Sequence, residues 1–331
     1  MKNVTLFLSS LLLTMVSSCN TPKTENTQTE TSKETSLFLP TPTTYNYKKV
    51  KDVTLFYREA GDPSKPTIVL LHGYPSSSHS YRNLIPMLAT HYHVIAPDNL
   101  GSGYSARPNP DTTKYTFDLL AAYTEGLLEV LKINDYVMYM QDFGAPVGYR
   151  MMMKNPKRIK ALLVQNANAY LDGLNPKRQA FFKNAQQDTS QKQLDFLYNI
   201  TSREVTINKQ YLFDIDSTNY KIQSPDAWTH DLAFLQTPSD RNIQVQLFQD
   251  YYTNLLAYPT WQKMLKETQP KTLITWGGKD LKFNANGAKA YLRDLPNAEL
   301  HLLDAGHFAA EEKTREIAIL ILKFLRKHKI Q

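Results

Sequence analysis

With 331 residues, 42% of them hydrophobic and 20 of them tyrosine, the chain can bury one large core, with or without an inserted lobe. The net charge is +7, and the closing run Lys323-Phe324-Leu325-Arg326-Lys327-His328-Lys329 reads as the solvated end of a terminal helix; no nucleic-acid motif accompanies it, so nucleic acid is set aside as a partner. One cysteine, Cys19, excludes an intramolecular disulfide framework, and the eight histidines show no metal-ligand spacing, so no metal or cofactor is expected.

Residues 1–18 have the pattern of an export signal: Lys2, an apolar run from Val4 to Val16, then Ser17-Ser18-Cys19. That run is too short for a comfortable transmembrane helix. The segment Val16-Ser17-Ser18-Cys19 resembles a bacterial lipobox, whose cysteine is lipidated after cleavage. The resemblance implies a lipid-anchored protein of the bacterial cell envelope, in the periplasm or at the outer membrane. An ordinary signal peptide and a retained anchor stay open as alternatives. Residues 19–43 read as a disordered tether, because Asn20 to Ser36 are almost wholly Thr, Glu, Lys, Gln, Ser and Asn and cannot bury apolar surface.

The folded part is expected as a core of residues 44–165 and 263–331, with a helical cap of residues 166–262. Residues 45–50 and 53–60 read as a strand pair. Residues 67–71 form a short buried strand ending in His72-Gly73-Tyr74-Pro75. Residues 94–96 are a strand followed by Asp98-Asn99-Leu100-Gly101-Ser102-Gly103-Tyr104-Ser105, read as structural because no dinucleotide-type glycine spacing follows. Nearby, His91-Tyr92-His93 lacks the carboxylate or cysteine partners of a metal site. Phe117, Leu120, Ala121, Thr124, Leu127, Leu128 and Leu131 mark one apolar helix face. The run Tyr136-Val137-Met138-Tyr139-Met140 has the unalternating look of a buried strand, turns at Gln141-Asp142-Phe143-Gly144, and opens a helix with Pro146 in its first turn.

After another strand at 161–164, strand runs vanish until 271–275, which ends in Trp276-Gly277-Gly278-Lys279-Asp280. A helix at 285–295, a strand at 299–303, the segment Asp304-Ala305-Gly306-His307-Phe308 and a terminal helix complete the chain. Alternating strands and helices predict an α/β fold with a mostly parallel sheet and right-handed crossovers. The helical insertion is expected over the carboxyl ends of the strands, where such sheets bind ligands.

A strand, a tight turn bearing one reactive side chain and a helix make a nucleophile elbow, here with Asp142 where serine is usual. An aspartate is ionised near neutral pH and favoured at a helix N-terminus, so it attacks a saturated carbon without a base beside it. The bland reading is a helix cap. The elbow, His72-Gly73-Tyr74-Pro75, the Trp276 to Asp280 segment and Gly306-His307-Phe308 resemble the Asp-nucleophile branch of the α/β-hydrolase superfamily, which includes haloalkane dehalogenases and epoxide hydrolases.

That resemblance implies Asp142 as nucleophile, Asp280 as orienting acid and His307 as general base. It also implies an oxyanion hole of the Tyr74 and Phe143 backbone N–H groups. Tyr251 and Tyr252 fall where a ring-protonating tyrosine is expected, with Tyr198, Tyr211 or Tyr220 as its partner. Phe143 and Tyr74 stand where dehalogenases carry Trp and Trp or Asn, which counts against haloalkanes. Met140 is larger than the residue many elbows carry there.

The expected function is cofactor-independent hydrolysis of a small apolar electrophile by water, epoxides first and halogenated alkanes or acids second. A non-catalytic binding lipoprotein on the same fold is the rival of another class. Ester hydrolysis ranks lower, because attack by an aspartate would pass through an anhydride.

Overall fold

The computed structural model describes residues 41–331; the export signal, Cys19 and the tether up to residue 40 lie outside the described residues. Folded structure begins one residue before the expected boundary, with β1 (Thr43–Val50) turning back into β2 (Val53–Ala60) as an antiparallel hairpin. The remaining strands are β3 (Thr67–Leu71), β4 (His93–Pro97), β5 (Tyr136–Gln141), β6 (Ile159–Gln165), β7 (Thr272–Gly277) and β8 (Glu299–Leu303). They form one sheet in the order β1-β2-β4-β3-β5-β6-β7-β8. β2 meets β4 antiparallel, and every pairing from β4 onward is parallel.

The central strands carry no polar alternation because both of their faces are covered. Side chains alternate across the sheet, so Met138 and Met140 join the core on one side while Val137 and Tyr139 join the core on the other. On the first side lie α1 (Phe117–Val130) and α2 (Gly144–Lys154); on the second lies the terminal helix, Thr314–Lys327. The large Met140 is accommodated because Gly148, two turns along in chain and on α2, has no side chain: a Cβ there would meet the Met140 sulfur at 2.4 Å.

Three strands run longer than their apolar residues suggest. β4 takes in His93 and Pro97, β6 takes in Ile159 and Gln165, and β7 runs to Gly277. Ladder bonds are made by backbone, so polar ends such as Gln141 and Gln165 pair in register regardless of side chain. The expected helix at 285–295 is shorter, Ala285–Ala290 followed by a 3₁₀ turn at Tyr291–Arg293. The loop after β4 is structural, as read. Asp98 accepts from the Ser78 N–H at 2.7 Å and the Tyr104 N–H at 2.8 Å, tying neighbouring loops together.

Between β6 and β7 there is no strand. The segment holds α3 (Pro176–Gln187), α4 (Gln191–Ile200), α5 (Pro225–Ala233), α6 (Pro238–Asp250) and α7 (Tyr252–Thr268), with a π-type turn at Thr206–Tyr211. It is fastened to the sheet side by apolar and ionic contacts. Tyr211 stacks on Phe308 at 4.2 Å, and buried Asp214 pairs with buried Lys282 at 2.7 Å. Among the described residues no helix is long and apolar enough to cross a membrane.

Candidate active site

The turn after β5 places Asp142 in the left-handed region, φ 49°, with its side chain projecting from the strand end and α2 beginning just beyond. Such a φ costs a non-glycine residue energy and persists only where the surroundings enforce it. Here Gly144 makes it possible. A Cβ at that position would lie 2.2 Å from the Leu71 carbonyl oxygen, so only glycine lets α2 start this close to β3. The Asp142 N–H donates to the Asn166 carbonyl at 3.2 Å, locking the turn to the end of β6.

The two oxygens of the Asp142 carboxylate have different neighbours. Oδ1 accepts the Tyr74 N–H at 2.7 Å, and Oδ2 lies 3.4 Å from His307 Nε2. The Phe143 N–H, the other expected donor, makes no hydrogen bond to this carboxylate among the described residues. His307 Nδ1 meets Asp280 Oδ2 at 2.7 Å. Asp142, Asp280 and His307, from the ends of β5, β7 and β8, therefore meet in one buried row.

Every lone-pair direction of Asp280 is occupied. Oδ1 accepts the N–H groups of Lys282 and Phe283 at 2.7 and 2.9 Å, while Oδ2 also accepts Asn166 Nδ2 at 2.7 Å. Burial alone would raise the Asp280 carboxyl, but the imidazole of His307 and these donors outweigh it and hold the pKa below the usual carboxylate range. For His307 burial pulls downward, yet the charges and hydrogen bonds of Asp280 and Asp142 win and push it up to about 9.

An aromatic wall closes the other side of Asp142. Phe143 packs against Tyr74, Phe117, Phe248 and Tyr251 at ring separations of 5.8, 5.1, 5.5 and 5.3 Å. Tyr251 is fully buried, stacked on Phe182 of α3 at 3.9 Å, and its hydroxyl lies in the field of Asp142. Burial raises its pKa well above 10, so it stays a proton donor at neutral pH. Tyr252 is half-buried and packs against the same apolar cluster as Tyr251 and Phe143.

None of the three earlier tyrosines partners Tyr251. Tyr211 donates to Asp231, Tyr198 lies under the Arg241 guanidinium at 3.5 Å, and Tyr220 is exposed. The neighbour is Tyr258. Its hydroxyl is buried beside that of Tyr251, within the field of Asp142 and without a hydrogen bond of good geometry to any described residue. Sequence reasoning missed it, although residues 251 and 258 share a helix face at i, i+7, a spacing that could have drawn notice.

Asn166 was also missed. Its side chain bridges Asp280 and the Gly277 N–H (2.8 Å), and its backbone sits at φ 43°. Nothing local in Gln165-Asn166-Ala167 signals that role. At the two positions expected to hold a halide, Phe143 has no N–H on its ring and the Tyr74 hydroxyl donates to the Ile200 carbonyl at 3.4 Å. Of the histidines at 91 and 93, His93 faces Glu59 at 2.8 Å and Thr67 at 3.1 Å, and no group of three or more metal-binding side chains occurs among the described residues.

Comparison with known proteins agrees with this fold. The family model of the alpha/beta hydrolase fold matches residues 66–314. An uncharacterized hydrolase of Saccharomyces cerevisiae is 37% identical over 270 residues, covering 80% of this chain and 91% of the relative. A haloalkane dehalogenase of Psychrobacter cryohalolentis is 27% identical over 285 residues, covering 83% and 88% respectively. The solved structure of an epoxide hydrolase from Vigna radiata superposes with a TM-score of 0.65 at 19% identity, over 86% of this chain and 98% of that one. From the sheet order, the elbow and these matches together, the chain belongs to the α/β-hydrolase family and is an enzyme of that type.

Proposed function

We propose that the protein hydrolyses small electrophiles through an ester on Asp142, with epoxides as the leading substrate class. The observation that carries this reading is the split environment of one carboxylate. Oδ1 sits against the Tyr74 N–H, and Oδ2 faces His307 across 3.4 Å. Oδ2 attacks the electrophilic carbon, and its C–O bond forms as the ring C–O bond breaks. The released alkoxide takes a proton from Tyr251 or Tyr258, whose buried hydroxyls lie in the field of the carboxylate.

Esterification removes the Asp142 charge, and with it one of the two carboxylates that hold a proton on His307. That proton restores the tyrosine, and neutral His307 becomes a competent base. It takes a proton from water as the water oxygen adds to Cγ of Asp142. The developing oxyanion is Oδ1, against the Tyr74 N–H, where one such donor typically supplies about 3 kcal/mol. The Cγ–Oδ2 bond then breaks, the carboxyl proton goes to the departing alkoxide, and Asp142 is left ionised beside a protonated His307. The sum is epoxide plus water to diol.

Dehalogenation follows the same two steps with halide leaving. The Psychrobacter relative favours it, and Phe143 and the occupied Tyr74 hydroxyl weigh against it. The test is intact-protein mass spectrometry on His307→Gln with pooled epoxides and halogenated alkanes and acids. An adduct with the full epoxide mass supports ring opening, and one lacking its halogen supports dehalogenation. A folded variant that forms no adduct with any of them overturns both substrate classes and favours the non-catalytic reading. We propose as well that Cys19 carries a lipid, on the strength of the lipobox-like segment. Cys19→Ala should leave the membrane fraction for the soluble one, and unchanged fractionation refutes the anchor.

A further inference from the structure

One cation facing the site has no part in the chemistry above. Arg178 lies in the first turn of α3 (Pro176–Gln187), where the following residues at i+3 and i+4 are Phe181 and Phe182. Side chains at those spacings share a helix face. Phe182 stacks on Tyr251 at 3.9 Å, Tyr251 packs on Phe143, and Phe181 contacts Phe248 at 6.1 Å. The face of α3 that carries Arg178 is therefore the face laid against the aromatic wall of Asp142. The guanidinium stands over the Phe181 ring at 5.7 Å, within electrostatic reach of Asp280, Tyr251, Asp142 and Asp214.

None of these groups bonds it. Asp142 is engaged by the Tyr74 N–H and faces His307, and Asp280 has its acceptor positions filled. Asp214 pairs through Oδ2 with Lys282, and no side-chain hydrogen bond of Arg178 is formed among the described residues. A guanidinium carries five N–H donors in a rigid plane, and drawing it from water without an acceptor is costly. Arg178 is half-buried, and the part of its guanidinium drawn from water presses its pKa below the ordinary arginine range. An oxyanion of matching shape relieves that cost, and a planar carboxylate fits the fork in a bidentate pair. The single positive charge matches a monoanion better than a phosphate dianion.

We propose that Arg178 receives the carboxylate of the substrate, which makes the preferred substrate an electrophilic carboxylic acid with an apolar body. This deepens the reading of Asp142 as nucleophile and rests on it for the word substrate. The apolar body lies along Phe143, Phe182 and Phe248, with the carboxylate at α3 and the reactive carbon at Asp142.

The test needs no bond to form, so it reads Arg178 separately from the Asp142 chemistry. Calorimetry would compare unreactive acids with their primary amides, from acetate and acetamide to phenylacetate and phenylacetamide, on the wild-type protein, Arg178→Met and Arg178→Lys. The expected result is at least about tenfold tighter binding of acid than amide in the larger pairs. That preference should vanish in Arg178→Met and return in part in Arg178→Lys. Equal binding of acid and amide, binding of neither, or a preference that survives Arg178→Met with its Tm unchanged overturns the proposal. Should Arg178→Met fail to fold, Arg178→Gln takes its place under the same criteria. A purely charge-balancing Arg178 would instead show no acid preference in the wild type.

Discussion

The carboxylates at the strand ends and the helical segment above them satisfy their polar groups very differently. On the strand side Asp280 takes four donors, Asp142 is gripped at Oδ1, and Asn166 ties β6 to β7. On the helical side Thr206 Oγ1, both side-chain polar atoms of Gln223 and the Tyr258 hydroxyl are buried without a hydrogen bond of good geometry among the described residues. Arg178, half-buried, likewise forms no side-chain hydrogen bond among the described residues. A fully bonded buried network holds its members in one geometry, whereas unmet buried donors and acceptors are costly until something fills them. The groups proposed to react thus sit where positions are over-determined, and the proposed recognition falls to the region that has hydrogen-bonding capacity to spare.

Breaking the strand side should have the largest effect. Asp142→Ala is expected to lower turnover by about 10⁴-fold or more, the scale on which loss of a triad member acts. Its Tm should stay close to wild type, since the φ of 49° becomes no easier but a buried carboxylate is removed. Steady-state rates near wild type would refute the nucleophile.

On the helical side, Tyr251→Phe should slow epoxide opening by roughly 10²-fold, within the range of a lost general acid. Tyr258→Phe should cost less, because its hydroxyl acts beside that of Tyr251. Single-turnover alkylation rates separate this from the hydrolysis step. Equal rates for wild type and the double variant would leave the helical side with a shaping role only.

The smallest effect is a pH signature of the strand-side network. The folded pKa of His307, about 9, exceeds its ordinary value of 6.5, so folding favours the protonated ring. The stability this contributes is complete below about pH 6.5 and is lost as pH rises through 9. A shift of that size corresponds to something on the order of 3 kcal/mol. Denaturant titrations of wild type and His307→Gln should therefore differ most below pH 6.5 and converge toward pH 9 and above. A difference that is flat with pH would mean the two carboxylates do not hold that proton.

How far the site could be read in advance depended on how local each feature is. The elbow was legible because a strand, a glycine-flanked turn and a helix leave their mark within nine residues, from Tyr136 to Gly144. Asp280 and His307 were legible through short contexts at strand ends. Asn166 was not, because its task is to join chain segments more than a hundred residues apart, Asp280 and Gly277 on one side and Asp142 on the other. Tyr252 looked as eligible as Tyr251 since neighbours in sequence are told apart only by which way the helix faces. Met140 looked oversized until Gly148 was seen to leave the space it fills.

By itself the sequence determined the architecture: buried strands without polar alternation, helices with one apolar stripe, and reactive residues at the strand ends, all of them properties of short segments under hydrophobic patterning. The tertiary structure alone decided the direction of each cap side chain. Tyr258 rather than Tyr198, Tyr211 or Tyr220 stands beside Tyr251, Arg178 comes within electrostatic reach of Asp142, and Lys282 holds Asp214. The cap helices are connected by turns whose angles no local pattern encodes, so the face each presents to Asp142 is set only when they pack against the sheet and one another.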